Sequence, residues 1–334
     1  MSNKRSQLEP VFNPEDSTEL SIIKGERGEI LIEQLREELI LLSNATTAHN
    51  VTKTFEQQQA ALVTLGFLGE LLVKEFPYIV PSKGRFSFLP RLLGRAKVTL
   101  RMKRRGVVLG NITIVADGYI APITAGNFVD LCLRNFYTGL PLKSINKKFG
   151  KLSEQVSASI KVMGSFNEGF FDPLTGKLRR IPLEVIRLEK GSGQPKLSYS
   201  TRGAPDVLFV CKSCMWDTED DLEFISDTIS KTKPLLTFDA PGLVALNHPD
   251  KNPNGGSSEF FALQKDTMPS DKRRLLDAEY APFGFIIEGS ELYHSLQPDD
   301  IVDATFVDEF GRLNLVKIRE STFSEVAQGS ENES

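Results

Sequence analysis

Asp117-Gly-Tyr-Ile-Ala-Pro-Ile-Thr-Ala-Gly-Asn-Phe-Val-Asp-Leu131 is the stretch on which the fold turns. From Thr124 to Phe136 the apolar residues Phe128, Leu131 and Cys132 recur at helical spacing, and Pro122 precedes the first turn, where a missing N–H is tolerated. Upstream the hydrophobic period shortens. Val98, Leu100 and Met102 alternate with Thr99, Arg101 and Lys103, and Asn111 to Val115 continues in the same manner after a turn at Gly106. Two strands of a meander therefore lead into a helix.

Beyond this helix, strand-like runs are expected at 156–162, 181–186, 207–211, 242–248, 259–263, 282–288, 301–307 and 313–318. A short helix, Glu291 to Leu296, follows Ser290 as N-cap. Many short strands with two helices predict a closed barrel, because closure removes exposed sheet edges. The expected class is α+β: a helical hairpin or small bundle, then a closed eight-stranded antiparallel β-barrel with two capping helices.

The helical part comes first. Leu31, Leu35, Leu39 and Leu42 recur between charged residues, and a second helix over about 52–75 carries Phe55, Leu62, Leu65, Leu72 and Phe76 before Pro77. Five spans are expected: an irregular tail over 1–20, a helical segment over 21–80, a linker over 81–94, the β-rich domain over 95–320 with an insertion at about 190–233, and a disordered acidic tail over 321–334.

Composition narrows the function. Of 334 residues, 40% are hydrophobic and 25% charged, and the net charge of −4 without a basic block argues against a nucleic-acid partner. The most apolar stretch, Ala60 to Val73, contains Glu70 and is shorter than the roughly 20 residues of a membrane span. The start, Met1 to Pro10, has no apolar signal region, which is compatible with a cytoplasmic chain or with one lacking its targeting segment. Three cysteines do not make a disulfide framework.

The quoted stretch resembles the first-helix signature of cyclophilins. Phe136-Tyr-Thr-Gly139 looks like the family's Tyr-x-Gly turn, and Gly242-Leu-Val-Ala-Leu246, Asn254-Gly-Gly-Ser-Ser-Glu-Phe-Phe261 and Leu276-Asp-Ala-Glu-Tyr-Ala-Pro-Phe-Gly284 resemble its later blocks in order. Arg91-Leu-Leu-Gly-Arg95 and the preceding helices are similar to the multidomain cyclophilins of the chloroplast thylakoid lumen. The resemblance implies a peptidyl-prolyl isomerase without cofactor or metal, with proline-containing clients and membrane-associated assembly partners, in a plastid.

Isomerisation has to lower a rotation barrier of about 18–20 kcal/mol about the C–N bond. A cation donating to the proline nitrogen favours the twisted transition state, and the family uses arginine for this. By resemblance, Phe261 is the apolar floor, Leu246 and Leu275 are walls, Tyr280 stands at a frequent histidine position, and Asn247 joins the substrate-binding set. Glu259 replaces a backbone-binding glutamine, and Met163 aligns loosely with a second one because an insertion at about Lys147 to Gln155 disturbs the register.

Ser144 falls at the arginine position, so weak or absent catalysis is expected. Lys143 could take the role only through a one-residue slip, which would turn every side chain to the other face. Three readings follow: an isomerase relying on Lys143, a non-catalytic binder of proline segments, or a redox-regulated binder using Cys211 and Cys214. The last pair reads in the first place as ordinary loop cysteines and in the second as a thiol or disulfide pair, and one CxxC without further ligands does not make a zinc site.

Overall fold

The structure is a computed structural model that describes residues 14–73, 80, 88–149, 155–188, 195–198, 234, 236–250, 252–264, 267–277 and 279–317. Contacts divide the chain into two units, Met1–Glu75 and Phe76–Ser334. The insertion at 190–233, apart from 195–198, and the acidic tail after 320 lie outside the described residues, as do Cys211 and Cys214.

The first unit is a helical hairpin of α1 (Pro14–Thr47) and α2 (Val51–Leu71). Helix starts at Pro14, before the expected end of the irregular tail. The turn between the helices uses His49 at φ +53, and the Asn50 side chain caps α2 by accepting from the Lys53 N–H at 3.0 Å. The helices meet through small and polar groups: Ala45, Ala61 and Thr64 are buried beside Leu31, and the Thr64 hydroxyl bridges Gln34 and Glu38. Phe55, Leu62 and Leu65 of α2, and Leu72 just after it, are all exposed.

In the second unit eight antiparallel strands form one sheet. They are β1 (Arg95–Arg104), β2 (Val107–Asp117), β3 (Lys143–Phe149), β4 (Val156–Met163), β5 (Leu243–Leu246), β6 (Phe260–Ala262), β7 (Pro282–Glu288) and β8 (Ile301–Val307), in spatial order β8-β1-β2-β7-β5-β6-β4-β3. The closed barrel is corrected: among the described residues no ladder joins β8 to β3. Instead, residues just before β3 make isolated bridges, Pro141 to Ile301 and Thr138 to Val302. The Leu142 N–H also donates to the Asp300 carbonyl at 2.7 Å. The Val302 N–H donates to the Leu140 carbonyl at 3.4 Å on the other side of Pro141, so the contact between these edges is confined to the residues that precede β3.

The main core lies on one face of this sheet, where Val98, Leu100, Met102, Ile112, Ile114, Phe260 and Phe283 meet α3 (Pro122–Leu133). Ala121, at the N-cap of α3, supplies no side-chain acceptor. The buried Glu184 carboxylate does so from a distance, accepting from the N–H groups of Ile123 at 3.1 Å and Thr124 at 2.6 Å and from the Thr124 hydroxyl at 2.7 Å. At its other end Asp130 receives Arg179, which also holds Asp172.

Two late elements follow β7. Helix α4 (Ser290–Ser295) lies within a residue of the expected short helix, although Gly289 rather than Ser290 takes the N-cap position. The run expected as a strand over 313–318 begins instead in helix α5 (Glu309–Asn314), which Asp308 caps by accepting from the Gly311 N–H, and only Leu315–Val316 is extended.

Candidate functional site

The opposite face of β3, β4, β5 and β6 carries a second apolar cluster, and the ladders decide which residues reach it. Lys143 pairs with Val162, Val162 with Phe261, and Phe261 with Ala245. Directly paired residues share a face. Lys143 therefore stands on the Phe261 side, and Ser144, paired with Lys161, stands behind it. Ser144, expected at the pocket, and Lys143, its possible substitute, thus lie on opposite faces of β3. Ser144 is exposed with its hydroxyl 2.8 Å from that of Ser159, while the Lys143 ammonium donates to the Ser165 hydroxyl at 2.9 Å.

The face around Phe261 is filled. Phe261, Leu276 and Tyr280 are no more than 1% exposed, packed with Phe149, Ile160, Val162, Phe238 and Met268, and the half-buried Leu275 lies against them. The Tyr280 ring meets Phe261 edge-on at 5.4 Å and Phe149 at 5.6 Å. Of the expected lining residues, Phe261, Leu275 and Tyr280 come together here. Leu246 and Met163 do not: they are one residue out of phase and belong to the main core. Cavities beside Tyr280 and beside Leu246 each measure about 10 Å³, room for one water and not for a proline ring.

A polar rim borders this cluster. The Asn247 N–H donates to the Glu259 carbonyl at 2.7 Å, and its side-chain amide donates to the Glu259 carboxylate at 2.7 Å. The Asn247 amide oxygen accepts from the buried Lys147 ammonium at 2.7 Å, which also donates to the His248 carbonyl at 2.5 Å. That ammonium lies 3.8 Å from Asp250 and 5.1 Å from the centre of the Tyr280 ring. His248 stacks on Tyr280 at 4.4 Å, with its ring nitrogens each 3.0 Å from a backbone carbonyl, of Pro249 and of Glu279.

Burial sets the charge states. It lowers the Lys147 ammonium below its ordinary value although Asp250, Glu279 and Glu259 pull the other way, and it lowers His248 and pushes the Tyr280 hydroxyl far up. The two carbonyls at His248 favour the doubly protonated ring, and desolvation together with nearby Lys147 outweighs them. The Tyr280 hydroxyl is buried with no hydrogen-bond partner among the described residues.

Lys147 and Phe149 are the site residues that sequence reasoning missed. Their signal was parity: Lys143, Ile145, Lys147 and Phe149 fall on one face of β3, which runs on to Phe149 past the start of the supposed insertion. The matching order of Phe261, Asn247 and Tyr280 is what comparison with known proteins now explains. The family model described as cyclophilin type peptidyl-prolyl cis-trans isomerase/CLD matches residues 98–319.

The chain belongs to the cyclophilin family.

Among relatives, a Synechocystis protein whose name includes thylakoid lumen peptidyl-prolyl cis-trans isomerase sll0408 is 34% identical over 86% of this chain and 66% of its own length. Peptidyl-prolyl cis-trans isomerase CYP38, chloroplastic, of Arabidopsis thaliana is 26% identical over 84% of this chain and 57% of its own length. The chain thus spans between about half and two thirds of the relatives it matches. A Cryptosporidium parvum cyclophilin crystallised in the presence of the dipeptide Ala-Pro aligns at 16% identity and a TM-score of 0.33, covering 64% of this chain and 99% of that one. Among the described residues of this cyclophilin, no helix is long and apolar enough to cross a membrane, and no group of three His, Cys, Asp or Glu is placed to hold a metal.

Proposed function

We propose that this cyclophilin holds proline-containing segments of client proteins during folding or assembly and turns them over weakly or not at all. One observation carries the reading: among the described residues, the two lysines of β3 on the Phe261 side, Lys143 and Lys147, are each hydrogen-bonded elsewhere, and the arginine position holds Ser144. Ser144 lies on the wrong face, Lys143 is engaged by Ser165, and Lys147 is held by Asn247 and His248. The loss of a charge-assisted donor to a transition state costs on the order of 3–4 kcal/mol, or two to three decades in rate. The names of the relatives support a plastid location, the thylakoid lumen in particular, and clients among the membrane-associated proteins assembled there.

A protease-coupled isomerisation assay on a proline tetrapeptide tests this. The unmodified chain is expected to leave the uncatalysed rate unchanged at micromolar concentration, and so is Ser144→Arg, whose new side chain would point away from Phe261. Substantial acceleration by the unmodified chain overturns the proposal. Acceleration by Ser144→Arg alone overturns the assignment of faces.

A further inference from the structure

In the reading above, the Phe261 face is where a client's proline goes, and in this structure that face already has an occupant. The stretch of sequence that did not fit the family's spacing begins at about Lys147, and its first three residues, Lys147 to Phe149, belong to β3. The ladder runs on through Lys147 to Ala158, Lys148 to Ser157 and Phe149 to Val156. Its inner side delivers Phe149, fully buried, against Tyr280, and Lys147 into a rim of oxygen acceptors formed by Asn247, His248 and Asp250. Lys148 between them is exposed.

We propose that Lys147-Lys148-Phe149 is a built-in pseudo-ligand of the client site, and that the segment which displaces it is extended and carries a cation two residues before a proline. The inference rests on the client reading and adds both the regulation and the recognised chemistry. Three features argue for an occupant that can leave. β3 is an edge strand, with a ladder only to β4 among the described residues. Lys147 is the buried cation of a rim in which Asp250, the carboxylate that pairs with it at 3.8 Å, is 79% exposed, so water can replace that contact as the lysine withdraws. The same rim, with Glu259 joined to Asn247, offers an incoming ammonium or guanidinium the oxygens that Lys147 vacates. An aromatic ring and a proline ring fill comparable apolar space, and a strand-like client retains the two-residue spacing by which side chains share a face.

The test uses the full chain and two fluorescein-labelled peptides, Ala-Lys-Ala-Pro-Ala and Ala-Glu-Ala-Pro-Ala, read by anisotropy, with circular dichroism to establish that each variant is folded. Phe149→Ala is expected to bind the lysine peptide at least tenfold more tightly than the unmodified chain and than it binds the glutamate peptide. Phe149→Leu, which refills the space, is expected to bind like the unmodified chain. Equal, measurable binding by the unmodified chain and Phe149→Ala overturns the pseudo-ligand and leaves the client reading standing. No binding by folded Phe149→Ala overturns both, and equal binding of the two peptides overturns the required cation. If Phe149→Ala does not fold, hydrogen exchange of the unmodified chain with millimolar lysine peptide decides: faster exchange at 147–149 supports displacement, and unchanged or slower exchange overturns it.

Discussion

Asn247 shows how much one side chain is asked to do. Its amide faces a cation on one side and a carboxylate on the other, the arrangement its donor and acceptor ends require. Asn247→Ala would leave the buried Lys147 ammonium short of an acceptor. We expect it to cost about 1–3 kcal/mol, read as a lower urea midpoint by near-ultraviolet circular dichroism of the buried tyrosines. Asp130 gives the pH dependence. Burial alone would raise its pKa, but Arg179 and Lys317 outweigh burial and hold it below the ordinary carboxylate value. A depressed carboxylate contributes stability that is present above its unfolded value and lost as pH falls through the folded one. Stability is therefore expected to decline below about pH 4, and Asp130→Asn to flatten that decline in acid-unfolding curves.

At the scale of elements, α3 depends on a cap that is sixty residues away in sequence. Glu184→Ala would leave the Ile123 and Thr124 N–H groups without their acceptor in a buried place. A loss of about 2 kcal/mol is expected, with the thermal midpoint as the readout, whereas Glu184→Gln retains one oxygen and loses less. Gly126 sets how closely α3 approaches the preceding chain, since a Cβ there would lie 2.7 Å from the Arg91 Cα and from the Pro90 carbonyl oxygen, both backbone. Gly126→Ala is accordingly expected to destabilise by about 1–3 kcal/mol in the same measurement, although alanine is the better helix former.

For the whole molecule, the open order of the sheet is the feature with dynamic consequences. Interior strands such as β2 and β7 have partners on both sides, while β3 has one among the described residues. Amides of β3 are expected to exchange with solvent faster than those of β2, measurable by hydrogen exchange, and comparable protection of the two would contradict the open edge. Motif order along the sequence carried the family, because it is a local property of the chain, and the resemblance put Phe261, Leu275 and Tyr280 in one set with Leu246 and Met163, which the ladders turn to the main core. The sequence also marked residues 147–155 as departing from the pattern. Only the tertiary structure decided which side of β3 faces Phe261, since side-chain direction alternates with every residue and a shift of one is invisible until the ladder is known. The same ladder placed Phe149 and Lys147 in the site, and pairing across a hundred residues, as between Lys147 and Asn247, is fixed by packing rather than by any local preference.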